Sequence, residues 1–178
     1  MKNIFLFLSL VLLVSCESSD KEISAVNELV SQWDTVSMAA TDFSKMLNDA
    51  NADYSQKIAS TGIDSMSFSK LPVEQQDKIT GAETSLKAAG AQLAQLTDNL
   101  GEVLDQWTAK SEMVNALKES LTTKQFSETT LSEVAELNQF VSDTKGKLDQ
   151  FTQRLESAKS EVMQHHADLN RFLSATVQ

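Results

Sequence analysis

A single cysteine, Cys16, excludes any disulfide within the chain. A single proline, Pro72, leaves long stretches in which nothing forces a helix to stop. Aromatic residues make up 6% of the sequence, too few for the thick core of a globular domain. Cations are scarce as well, 15 Lys and Arg against 25 Asp and Glu, which disfavours nucleic-acid binding because that affinity comes mostly from basic side chains on phosphates. The same imbalance works against peripheral attraction to anionic lipid. The sequence has no phosphate-cradling glycine-rich loop, no His-Glu-x-x-His zinc motif and no nucleophile elbow. Taken with the lack of any pocket-forming pattern, this points away from an enzyme, and no cofactor is expected.

What is present begins at the amino terminus. Lys2 precedes an apolar run over 4–14, too short to span a membrane as a mature helix but of the right length for the core of a signal peptide. It ends in Leu13-Val14-Ser15-Cys16, which resembles a bacterial lipobox. The resemblance covers residues 1–16 only. It implies cleavage before Cys16 and lipidation of its thiol, so that 1–15 are a lipoprotein signal peptide and 16–21 a lipidated tether. Cleavage would remove Lys2 as the only charge, leaving 14 basic against 25 acidic side chains. Attachment to the membrane is then expected through the N-terminal lipid, and two or more acyl chains are needed because one anchors only marginally. The stretch Ser18-Ser19-Asp20-Lys21-Glu22 is loosely similar to surface-export signals of some Bacteroidetes lipoproteins, so the periplasmic face and the cell surface both stay open.

The mature chain is organised by apolar residues at alternating steps of three and four. The longest series runs Ile79, Ala82, Leu86, Ala89, Leu93, Leu96, Leu100, Val103, Trp107, with Lys110 the one interruption before Val114, Leu117 and Leu121. A sustained 3.5-residue period keeps one seam of a long helix against its partners. Val26, Leu29, Trp33, Val36, Ala40 and Phe43 open an equally regular series that continues to Ile58, and Val134, Leu137, Val141, Thr144, Leu148 and Phe151 open a third that continues to Phe172. Polar residues fill the gaps, so each segment is one apolar stripe on a wet rod. Three such stripes predict an all-α fold, an elongated antiparallel three-helix bundle of coiled-coil-like character over 22–178, with helices at about 22–60, 72–123 and 128–175. The short connection near 122–127 demands a helical hairpin, with Ser127 or Thr130 capping the next helix.

Residues 61–71 break the pattern. Serines, Gly62 and Pro72 punctuate a loop that nevertheless carries Ile63, Met66, Phe68 and Leu71. These four either fold back to cover the end of the bundle or form an exposed contact patch for a protein partner. Aligning the helices about this loop puts Trp33 beside Leu100 and Phe151, and leaves the chain beyond Lys110 as a two-helix extension. It also places Cys16 toward the 122–127 reversal, with the 61–71 loop projecting away from the bilayer.

Two other readings remain. His165 lies near Glu161 and Asp168 on one helical face, a geometry for a metal ion, but the paired Glu-x-x-His motifs of di-iron bundles are missing and a polar seam histidine is favoured. The small residues around Gly90 offer room opposite Phe43 and Val162 for a small apolar ligand. The expected function is therefore a lipid-anchored envelope spacer or protein-interaction module, with a binding module for a small apolar ligand or metal ion as the alternative and self-association of the two-helix end as a third reading.

Overall fold

The computed structural model describes residues 15–62 and 65–175, and these are helical almost throughout. α1 spans Ser15–Ser60, α2 Ser65–Ser69, α3 Val73–Thr123 and α4 Thr130–Ser174, with no strand among the described residues. The protein is all-α. The signal-peptide reading of 1–14 and the contact residue Ile63 lie outside the described residues.

Helix ends follow local chemistry. Residues 16–21, read from sequence as a tether, lie in the opening turns of α1. They contain neither Gly nor Pro, and Asp20 places negative charge toward the positive end of the helix dipole. At the other end the Thr61 hydroxyl donates to the Ile58 carbonyl at 2.9 Å, and Thr61 is buried. α3 ends at Lys124, whose φ of 54° is the left-handed conformation that stops a helix. The Ser127 backbone N–H then donates to the Thr130 hydroxyl at 3.0 Å and the Thr129 hydroxyl to Glu133 at 2.7 Å, while the Thr130 and Glu133 N–H groups of α4 donate to the Ser127 and Thr129 carbonyls at 3.2 and 3.0 Å.

The seams bury what their spacing says they should. Leu29, Leu86, Leu96, Leu137 and Leu155 are fully buried, and each removes roughly 1.5–3 kcal/mol worth of side chain from water. The described chain forms two compact units. The first takes in Met1–Ala39, described from Ser15, and Val103–Gly146. Its centre is aromatic: Trp33 stacks on Trp107 with ring centroids 3.8 Å apart, and Phe140 leans on both at 6.2 and 5.5 Å. The Trp107 indole N–H donates to the Ser37 hydroxyl at 3.1 Å. This register corrects the expected one, since the rings that Trp33 meets are those of Trp107 and Phe140. It also removes the two-helix extension. Lys118 reaches Asp34 at 3.5 Å, and Ser19 and Glu22 share a recess with Lys124 and Phe126, so α1 accompanies α3 and α4 as far as their connecting turn. Lys110, which interrupts its seam, pairs with Glu136 at 2.5 Å across the α3–α4 face.

The second unit takes in Ala40–Glu102 and Lys147–Gln178, described to residue 175. Phe43 and Phe151 meet at 5.9 Å in its core. Polar pairs rim the seam: Asn51 donates to Thr97 at 3.3 Å, Gln92 to Glu161 at 2.8 Å and Arg154 to Gln95 at 3.0 Å. Gly90 has a specific reason to be glycine. A Cβ there would stand 2.5 Å from the Tyr54 hydroxyl oxygen, because the Tyr54 ring lies in the space that a side chain would take. The room inferred around Gly90 for a ligand is thus filled by the protein itself.

Candidate functional site

The strongest departure from a normal surface lies between α1 and α3. None of the residues of α2 is buried. Met66 is 69% exposed and Val73, the first residue of α3, is 72% exposed, the two highest values among the exposed large hydrophobic residues. Phe68 and Leu71, between them in the sequence, are half-buried. Water around such residues is released when a partner covers them, which is why a contiguous apolar patch marks a contact surface.

The backbone that carries the patch is tightly bonded. The Leu71 N–H donates to the Phe68 carbonyl at 3.1 Å, and the Ser69 hydroxyl donates to the Met66 carbonyl at 3.0 Å, so α2 closes on itself within one turn. Pro72 then prevents α2 from running on into α3, since it has no N–H to give and disfavours helical geometry in the residue before it. Its own carbonyl accepts from the Gln75 and Gln76 backbone N–H groups at 2.9 and 3.1 Å, and the Gln76 side chain donates to the Leu71 carbonyl at 2.8 Å. Two of the first four N–H donors of α3 and the Leu71 carbonyl are thereby satisfied. Just beyond, Lys78 holds Glu74 at 2.6 Å. The hydrogen bond from Lys78, followed by its charge, keeps the Glu74 carboxyl below the ordinary carboxylate value.

Of the residues singled out from sequence, Met66 and Phe68 lie on α2 and Leu71 two residues beyond its end. Cys16 is the second residue of α1. Val73 was absent from the expected set. The signal for it was available: Val73 stands six residues before Ile79, off the three-four series that defines the buried seam, so its side chain had no place inside.

The other candidates resolve differently. Glu161 is taken up by Gln92 at 2.8 Å and Ser157 at 3.2 Å, and Asp168 by Arg171 at 2.9 Å. His166, not His165, makes the contacts, with the Ser60 hydroxyl at 3.3 Å and the Asn170 amide at 3.2 Å. Among the described residues, no three His, Cys, Asp or Glu side chains are grouped to hold a metal ion. A shallow groove on α1 and α4 is floored by Ala50 and bordered by Met46, Asp53, Lys159 and Met163. Glu22, buried on the seam one step before Val26, faces the recess at the α3–α4 turn. Among the described residues, no helix is long and apolar enough to cross a membrane.

No family model, curated protein or solved structure matches the chain.

Proposed function

We propose that this chain is a lipid-anchored protein of the bacterial cell envelope, and that its mature part is an antiparallel three-helix bundle, coiled-coil-like in its packing, serving as a spacer and protein-interaction module. The anchor is the Cys16 thiol, lipidated after removal of 1–15. The contact surface is the turn carrying Met66, Phe68, Leu71 and Val73. The observation that carries the reading is the pair of exposures at Met66 and Val73, on either side of Pro72.

Contact order supports the bundle. Within the second unit, Asn51 pairs with Thr97 while Tyr54, further along α1, meets Gly90, earlier in α3, so these helices run in opposite senses. Phe43 with Phe151 and Ser60 with His166 rise together along α1 and α4, so those two run in the same sense. Side chains at alternating three- and four-residue steps are the seam of such packing.

Two experiments test the proposal separately. For the anchor, the N-terminal peptide purified from the native host should carry acyl chains on Cys16, and Cys16→Ala should move the protein from the membrane to the soluble fraction. An unmodified Cys16 in the native host sinks the anchor. For the contact surface, the chain is used as bait in detergent-solubilised envelope extract beside the Met66→Ser/Val73→Ser variant. A specific envelope protein should be retained by the first and lost by the second at an unchanged melting temperature. Equal retention by both removes the turn as the contact surface.

A further inference from the structure

The methionines of this protein are sorted in a way that its other apolar residues are not. Among the described residues, none of the 27 buried hydrophobic side chains is methionine, although Leu, Val, Ile, Ala, Phe and Trp all occur there. Four of the seven exposed large hydrophobics are methionine: Met38 at 62%, Met46 at 39%, Met66 at 69% and Met163 at 56%. Met113 is half-buried. A flexible, unbranched thioether is a good filler for irregular cores, so packing gives no reason to keep it out of three seams and put it in water. Reactivity does, because a thioether is the most readily oxidised of the apolar side chains and its oxidation inside a seam would introduce a polar S–O group where none can be solvated.

We infer that Met38, Met46, Met66 and Met163 are sites of reversible oxidation, a set of surface thioethers that consume peroxide without loss of the fold. The reaction is a two-electron oxygen transfer. A sulfur lone pair attacks one peroxide oxygen, the O–O bond breaks, the S–O bond of the sulfoxide forms, and the second oxygen leaves with both protons as water. Sulfur is oxidised and hydrogen peroxide is reduced, one equivalent for each residue, and the sulfoxide is the form that methionine sulfoxide reductases return to thioether. The oxidant class is neutral. With a net charge of −10, the protein as a whole repels anionic oxidants at low salt, while hydrogen peroxide is not repelled. This inference stands apart from the contact surface proposed above, since three of the four residues lie off that turn.

The test is a hydrogen peroxide time course on the full chain, with each sulfoxide located by peptide mass mapping and the fold followed by far-UV circular dichroism. Met38, Met46, Met66 and Met163 should each gain one oxygen, with Met113 slower by about threefold or more, in keeping with its lower access. Helix content and melting temperature should hold when the four are converted. Replacement of all four by leucine should abolish the fast uptake and leave the melt unchanged. Met113 keeping pace with the four, helix content falling as they convert, or fast uptake persisting in the leucine variant would each overturn the inference.

Discussion

Replacing Gly90 by alanine should lower stability in a protein where the same change at neighbouring glycines raises it. Gly81, Gly90 and Gly101 all lie inside α3 and within one unit, so their helix context is shared. Alanine in a helix interior is favoured over glycine by about 1 kcal/mol, because the unfolded chain loses less freedom. At Gly81 and Gly101 a Cβ would meet nothing within 4 Å, and the full gain of about 1 kcal/mol is expected at each. At Gly90 the new methyl would stand 2.5 Å from both Cε1 and the hydroxyl oxygen of Tyr54, so the ring has to leave its place. Overpacking of this kind costs about 1–3 kcal/mol, which outweighs the propensity gain and leaves Gly90→Ala between neutral and about 2 kcal/mol destabilised. The decisive comparison is the double-mutant cycle. In a Tyr54→Ala background the obstruction is gone, and Gly90→Ala should stabilise as Gly101→Ala does, giving a coupling of about 1–3 kcal/mol between the two positions. Urea titration followed by far-UV circular dichroism measures the five variants needed and the unsubstituted protein. If Gly90→Ala matches Gly101→Ala while Tyr54 is intact, the ring does not occupy that space and the packing argument fails.

Trp33→Ala should cost about 3–5 kcal/mol, since the indole is 6% exposed and stacked on Trp107, and the fluorescence of Trp107 should shift to the red as its ring loses that cover. An unshifted spectrum with a small loss would contradict the stack. Asn138 has a buried side-chain oxygen without a hydrogen-bond partner, so Asn138→Ala should raise the urea midpoint by about 1 kcal/mol of stability, and a loss would show that the oxygen is bonded after all. Glu74 should titrate below 4.5 by NMR, and Lys78→Met should return it toward that value. The sign follows from the depressed folded-state value: the pair stabilises the fold above the unfolded carboxylate value, and this contribution is lost as pH falls through the folded one. A midpoint in the intact protein equal to that in the Lys78→Met variant would exclude the contact.

The stripes were legible because seam residues must recur at three and four steps to face one side of a helix. Val26, Leu29, Trp33 and Val36 are buried on that ground alone. The break at 61–71 was legible from Pro72 and the serines, and so was the presence of unplaced apolar residues within it. The neighbours of Trp33 were not legible, because a seam of repeating heptads looks the same after sliding by one heptad, and the expected partner Leu100 stands one heptad from the actual Trp107. The start of α1 was missed for a different reason. Polar residues over 16–21 carry no apolar period, yet acidic side chains suit a helix N-terminus as well as they suit a flexible tether.

Generic seam packing therefore cannot choose the register, and side chains that are not interchangeable have to. Tyr54 and Gly90 are one such pair. Sliding α3 by a heptad would bring Glu83 or Thr97 to the level of Gly90, each with a side chain where the Tyr54 ring needs an empty place. Trp33 and Trp107 are another, since the same slide would offer Trp33 either Leu100 or Val114 and forfeit the aromatic stack with Phe140 against it. Each pin acts within its own unit, so each unit has its own means of rejecting the slipped alignments that the repeating leucines would accept equally well. Substitution at Gly90 or Trp33 should then disturb the alignment of the helices, whereas loss of a seam leucine should cost stability and leave the register intact.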